Sequence, residues 1–405
     1  PELRRDGTAA FRMLATLREF GLAQLEAAGE GPATRGAFLD YYVALAEQAR
    51  SGTQEPRHPW LDQVEDDYAN FRQALQQAVE AGDASPALRL VNALYVFWNE
   101  RGGRAEGREW LERVTALPGA APPGERAMAL TAKAGLAFLS SDPRAKGYAE
   151  AALALARESG DPSIIGGALL HFGSASVGEG IADDTEVAAA FEEALTLFQA
   201  TGNRDGMAWA LYWQGRLALE HRGDAARASV LMEQCLALDR AAGNLRAGGG
   251  AFVVAARAAW QRGEMALAAR YRKEALVRAA GSPQNLFYAF LSFALIAYRQ
   301  GDYAQAREGF TRSLEQLQIL GSRGGAETYR NLAVAEALDG AHDEARLHFL
   351  ESMRRWQQVG HEQGIRWTLD GLAVLAAMRG QAARAVRLAA AADTVPRVRR
   401  WQAAD

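Results

Sequence analysis

Along the C-terminal two-thirds of the chain, apolar residues recur at three- and four-residue intervals in blocks of roughly 17 to 22 residues, each closed by a glycine. These glycines form two interleaved series. One runs Gly223, Gly263, Gly301, Gly340 and Gly380, with gaps of 40, 38, 39 and 40. The other runs Gly160, Gly202, Gly243, Gly281, Gly321 and Gly360, with gaps of 42, 41, 38, 40 and 39. Glycine tolerates the left-handed conformation in which helices end, so each marks a helix C-terminus. In Gly160-Asp161, Gly223-Asp224 and Gly301-Asp302 the aspartate is placed to cap the next helix. Pro162 and Pro283 fall in the first turn of a new helix, where a missing N–H costs nothing. Such a period is the signature of stacked helical hairpins, each burying its apolar face against its neighbours.

The pattern predicts seven hairpins: 125–140 with 144–159, 162–177 with 184–200, 204–221 with 225–241, 245–262 with 264–280, 284–300 with 302–320, 324–339 with 341–359, and 362–379 with 381–392. Ahead of them, amphipathic stretches predict helices at 11–27, 33–50, 60–81, 84–101 and 104–117. A Pro- and His-containing loop covers 51–59, and Pro118, Pro122 and Pro123 break the chain before the first hairpin. No segment sustains a period-2 alternation, so the fold class is all-α. The expected organisation is an N-terminal helical region, 1–117, and an α-α superhelix of hairpins about 40 residues long over 125–395.

Composition removes several classes of function. A net charge of −4 lacks the positive balance of a nucleic-acid-binding domain, and no direct contact with nucleic acid is expected. The single cysteine, Cys235, excludes an internal disulfide framework, fits a reducing cytoplasm, and lies in an apolar helical stripe as a small buried residue. No apolar run reaches the roughly 20 residues of a membrane span. A start at Pro1, with neither methionine nor a signal-peptide pattern, predicts a piece of a longer protein.

The segment Phe290-Leu-Ser-Phe-Ala-Leu-Ile-Ala-Tyr-Arg-Gln-Gly-Asp-Tyr-Ala-Gln-Ala-Arg-Glu-Gly-Phe310 resembles a tetratricopeptide repeat. Phe290 takes the large position and Phe293-Ala294 the following pair. Gly301-Asp302-Tyr303 forms the turn, Ala306 the small contact, and Phe310 the packing aromatic. Tyr329, Leu332-Ala333, Gly340, Ala345 and Phe349 repeat the pattern one unit later. The resemblance implies a tetratricopeptide-like solenoid whose helices are about a turn longer than in the 34-residue unit.

Three earlier blocks resemble, in order, a region of NB-ARC-type ATPase transcription regulators, including bacterial LuxR-like and SARP-like ones. They are Phe11-Arg-Met-Leu-Ala-Thr-Leu-Arg-Glu-Phe20, Trp60-Leu-Asp-Gln-Val-Glu-Asp-Asp-Tyr-Ala-Asn-Phe-Arg-Gln-Ala-Leu75, and Phe97-Trp-Asn-Glu-Arg-Gly-Gly103 with Glu106-Gly-Arg-Glu-Trp-Leu-Glu112. That resemblance implies a C-terminal sensor arm coupled through 1–117 to an ATPase and a DNA-binding part upstream. The chain has no Gly-Lys pair and hence no phosphate-binding loop, so ATP is expected only on that upstream part and no cofactor here.

Catalytic motifs are missing. His58, His171, His221, His342, His348 and His361 are scattered, and the six-residue spacing of His342 and His348 does not suit a metal pair on one helical face. Acidic pairs such as Asp66-Asp67 and Glu192-Glu193 sit near helix starts or on exposed faces, where capping and dipole effects favour them. Gly248-Gly-Gly250 reads as a site of close helix packing.

Function is therefore sought on the concave face. Transferring the groove positions of the repeat unit by unit selects Trp213, Arg257, Trp260, Gln261, Tyr288, Tyr298, Arg299, Glu327, Arg330, Trp367 and Asp370. Rings interleaved with arginines and two carboxylates suit a protein segment, a peptide or a charged small molecule. The same rings could instead pack inside a tightly wound superhelix. Three functional classes follow: a non-catalytic cytoplasmic sensor module of a transcription regulator, a freestanding peptide-binding scaffold or quorum-peptide receptor, and an enzyme on an α/α barrel.

Overall fold

In a computed structural model of the protein, residues 2–3, 9–10 and 13–395 are described, apart from 52–58, 102, 141, 179–183, 243–245, 281–282 and 321–324. A short antiparallel ladder, β1 (Glu2–Leu3) with β2 (Ala9–Ala10), precedes α1 (Ala15–Ala27). The N-terminal region continues as α2 (Gly31–Ser51), α3 (Pro59–Asp66), α4 (Tyr68–Ala81), α5 (Ala84–Arg101) and α6 (Arg104–Thr115). Hairpins follow: α7 (Pro123–Leu139) with α8 (Ala145–Ser159), α9 (Pro162–Gly178) with α10 (Asp184–Thr201), and α11 (Arg204–Glu220) with α12 (Ala225–Ala242). They continue as α13 (Arg246–Gln261) with α14 (Met265–Ala279), α15 (Pro283–Arg299) with α16 (Tyr303–Ile319), α17 (Ala326–Leu338) with α18 (His342–Val359), and α19 (Glu362–Met378) with α20 (Ala382–Thr394). The architecture is the expected all-α, tetratricopeptide-like solenoid.

Punctuation is local and mechanical. Eight of the eleven series glycines are described, and all have φ between +65° and +85°. Gly243, Gly281 and Gly321 lie outside the described residues. Asp161, Asp224 and Asp302 each accept a backbone N–H of the first turn, at 2.8–3.2 Å. Asn203 and His361 do the same for Gly206 and Gly364, each at 2.9 Å. As an acceptor, the His361 Nδ1 carries no proton.

Two helices depart from the pattern. The single helix expected over 60–81 breaks at Asp67, whose backbone has φ −102° and ψ 10°. The break aims Trp60, Leu61 and Val64 of α3 and Phe71, Ala74 and Leu75 of α4 into one core. The first helix begins at Ala15 because Leu14 is extended (φ −62°, ψ 142°); positions 11 and 12 of that expected helix lie outside the described residues.

Packing repeats with the period. Phe191, Met232, Phe310 and Phe349 are fully buried at corresponding places of the second helices α10, α12, α16 and α18. Glycines make room for three of them: an added Cβ at Gly173, Gly215 or Gly371 would overlap Phe191, Met232 or Phe349 respectively. A second periodic position ties the helices of a hairpin together. Ser313 donates to the Phe287 carbonyl at 3.0 Å, Ser352 to that of Ala326 at 2.7 Å, and Cys235 to that of Ala208 at 3.3 Å.

The N-terminal region is continuous with the array, because Ala129, Ala132 and Leu136 of α7 belong to the core built by α2–α6. The array also winds back on that region, so that α15 touches α5. Beyond this seam the stack runs on, with α19 and α20 packed on α17 and α18. The first helices of the hairpins face inward around the turn that the seam closes.

Candidate functional site

Inside that turn lies a cavity of about 1160 Å³ walled chiefly by α3, α5, α7, α9, α11, α13 and α15, with Phe198 of α10, Arg278 of α14 and Ile319 of α16 also reaching it. Its aromatic side is supplied chiefly by α11. Trp213 is 9% exposed and stacks on Phe191 (centroids 6.1 Å apart, planes 15°), with Phe138 edge-on at 6.0 Å. Trp209 meets Tyr212 edge-on at 5.5 Å, and both reach the cavity. Gly135 opens the wall between α5 and α9: a Cβ there would come within 2.5 Å of the Tyr95 hydroxyl and 2.8 Å of the His171 ring. Gly250 likewise lets α13 approach Tyr212, where a Cβ would sit 2.9 Å from the ring, so this member of the triplet serves close packing beside the cavity.

The charged side is organised around Glu220. Arg216 binds its carboxylate through Nη2 (2.8 Å) and Nε (3.3 Å), and Arg257 binds the other oxygen. Burial alone would raise the Glu220 carboxyl, but the two guanidiniums outweigh it and hold its pKa at about 2. Burial would lower Arg216, and the Glu220 charge reverses this to a net rise. The Arg216 guanidinium lies 4.7 Å over the Trp213 ring and 5.9 Å from that of Tyr212, a cation–π placement facing the cavity.

Of the eleven groove positions, Trp213 and Tyr288 line this cavity. Arg257 stands just behind it, committed to Glu220. Trp260, half-buried, and Gln261, exposed, sit at the end of α13; Tyr298 packs on Tyr303 at 5.9 Å, with Arg299 exposed beside it. A separate group spans α17 and α19, where Glu327 pairs with Arg330 at 3.7 Å and the Arg330 guanidinium lies 5.3 Å from Trp367, while Asp370 is half-buried on α19. The structure thus scatters the selected positions: two line the cavity, four form the group on α17 and α19, and the rest lie outside both. Tyr95, His171, Trp209, Tyr212 and Arg216 line the cavity without having been selected. The run Trp209-Ala-Leu-Tyr-Trp213, three rings in five residues, was the available signal.

Other chemistry has little footing. Among the described residues, no group of three or more His, Cys, Asp or Glu side chains is placed to hold a metal ion. Cys235 is fully buried, and burial, with Asp239 and Asp205 nearby, pushes its thiol up to about 12. No helix among the described residues is long and apolar enough to cross a membrane.

Residues 284–358, which cover α15–α18, match the tetratricopeptide repeat family. Proteins of Mycobacterium tuberculosis and Mycobacterium bovis that are named as HTH-type transcriptional regulators are 31% identical to this chain over 221 residues. That stretch is 52% of this chain but only 24% of each mycobacterial protein. Among solved structures, a Rap protein in complex with competence and sporulation factor superposes with a TM-score of 0.54 at 12% identity, covering 81% of this chain and 99% of that one. A signal-transduction ATPase with a tetratricopeptide repeat sensor, from Pyrococcus horikoshii, superposes with a TM-score of 0.42 at 11% identity, covering 75% of this chain and 47% of that one. The fold is shared with the Rap protein, and this chain is similar in sequence to part of the mycobacterial proteins.

Proposed function

We propose that this chain is the sensor module of an HTH-type transcription regulator and that it binds a peptide or a segment of a protein inside the superhelical turn. The observation that carries this reading is the cavity itself, with tryptophans, tyrosines and a cation–π arginine turned inward. Similarity to the mycobacterial regulators supports the regulatory half. The module is non-catalytic and needs no cofactor of its own; ATP is used by an ATPase part of the same regulator, in the cytoplasm. Occupancy must favour one arrangement of the array over another, since a ligand with equal affinity for both transmits nothing. The region 1–117 couples the array to the parts that act on DNA.

A Trp209→Ala allele of the native gene tests this reading. It removes cavity wall without touching the Glu220 cluster. With protein abundance verified by immunoblot, transcript profiling should show the regulated genes shifted as in a deletion strain. A profile identical to wild type at equal abundance would sink the proposal.

A further inference from the structure

From α12 onward the second helices repeat with a step of 39 residues, so four positions of each can be compared in one register. At the first stand Ala228, Leu267, Ala306 and Ala345, and at the second Met232, Tyr271, Phe310 and Phe349. The third holds Cys235, Glu274, Ser313 and Ser352, and the fourth Asp239, Arg278, Leu317 and Trp356. In α12, α16 and α18 all four are buried, none more than 5% exposed. In α14 all four are only half-buried. Chemistry explains the difference. Leu267 puts bulk where an alanine lets two helices meet closely. The Tyr271 hydroxyl needs a partner when buried, and a phenylalanine does not. Glu274 has no hydrogen to donate where the cysteine and the serines do, and it keeps 43% of its side-chain surface. At the fourth position α14 docks by charge rather than by packing: Arg278 reaches the buried Asp239 of α12 at 3.0 Å.

The result is a helix held off its neighbours. A groove of about 440 Å³ lies along it, between Ser229 and Glu233 of α12, Ala255 and Ala259 of α13, and Leu267 and Tyr271 of α14 itself. Among the described residues α14 also meets the next hairpin less than α12, α16 or α18 does. Few buried apolar contacts and open space alongside are what allow one element to move within a native fold. Its place in the stack gives such movement a consequence. Beyond α14 comes α15, which closes the turn on α5. Arg278 lines the cavity, as do Pro283, Asn285 and Tyr288 of α15. We propose that α14 is the hinge of the superhelix: as it swings into or out of the groove, α15 moves relative to α5 and the turn opens to admit a ligand. Arg278 belongs both to the cavity wall and to the contact of α14 with α12, so an occupant of the cavity bears on the hinge directly. This role rests on the reading of the cavity as a ligand site, whereas the bending does not.

The test is made on the whole chain by hydrogen exchange and by distance measurement. Amides of α14 should exchange about tenfold faster than those of α12 and α16. Spin labels on Glu80→Cys and Glu315→Cys, both exposed, report across the hinge, and Glu80→Cys with the exposed Gln234→Cys reports on one side of it. Both pairs carry Cys235→Ser, so that no native thiol competes for label. The distance distribution should be broad across the hinge and narrow on the one side. Leu267→Ala with Glu274→Ser gives α14 the residues of α16 and α18 at two of the four positions, and neither residue lines the cavity. This double variant should slow α14 exchange to the rate of α12 and narrow the distribution across the hinge. Carried in the native gene at normal abundance, it should give the transcript profile of the Trp209→Ala strain. Equal exchange in α12, α14 and α16, with equally narrow distributions, overturns the hinge and leaves the cavity reading standing. A stiffened protein with a wild-type profile overturns the hinge as the route of entry. Should the double variant fail to fold, the wild-type comparison decides alone. A wild-type profile from Trp209→Ala sinks the cavity reading, and the hinge as its entrance with it, whatever the bending measured.

Discussion

At the scale of single residues, periodic position explains side chains that their chemistry alone would misplace. Cys235 is 78 residues before Ser313 and 117 before Ser352, two and three repeats of 39. All three are fully buried and donate to a carbonyl of the preceding helix. The cysteine is a structural tie, as its apolar stripe implied, though its hydrogen bond was not legible because sulfur rarely stands in for a hydroxyl. Glu220 is a different case: nothing in its sequence neighbourhood marks a carboxylate held by Arg257 from the next hairpin. Its pH behaviour follows from the sign of its shift. With the folded-state pKa at about 2 against about 4.5 unfolded, its contribution is complete above pH 4.5 and disappears as pH falls towards 2. Thermal melts between pH 5 and pH 2 should therefore show wild type losing more of its midpoint than Glu220→Gln, which starts lower because two arginines are left facing each other. Parallel curves for the two proteins would rule out this role.

At the scale of elements, the helices could be read to within a few residues because each boundary is written in local chemistry. Glycine ends a helix, aspartate starts the next, and both act within one turn. The break at Asp67 could not be read this way, since it answers to the shared core of α3 and α4 rather than to a cap. Glycines inside helices carry a second message, visible only in three dimensions. Gly301 faces open space and is needed for its φ of +78°, whereas helical Gly371 is needed because Phe349 occupies the place of its side chain. Gly371→Ala, a helix-favouring change, should thus lower stability by about 1–3 kcal/mol through overpacking. Combining it with Phe349→Leu should cost less than the sum of the two single changes, because the smaller side chain frees the space. Chemical denaturation of the four proteins in this cycle decides the point, and strict additivity would mean that the two positions do not meet.

At the scale of the molecule, curvature is what hid the cavity. Groove positions carried from one hairpin to the next follow the inner face of an open stack, yet here the stack closes on α5. The wall is then completed by residues nearly two hundred positions away in the chain, and periodicity holds no record of that. The seam also gives the solenoid a link that a one-dimensional array lacks. At its edge Arg104 is 3% exposed, and burial pulls its pKa down; its Nη2 reaches the Asn99 carbonyl at 3.3 Å, and Tyr95, Tyr288 and Glu100 are its electrostatic neighbours. No carboxylate forms an ion pair with it among the described residues, and its Nε has no acceptor there. A guanidinium so placed opposes burial, and the winding persists in spite of it. Arg104→Met keeps the length of the side chain and removes the charge, so the melting midpoint should rise by a few degrees, about 1 kcal/mol for a chain of this kind. Protection of the α5 and α15 amides from hydrogen exchange should rise with it, because the two helices then open from each other less often. A lower midpoint together with faster exchange on both helices would show instead that Arg104 holds the seam shut.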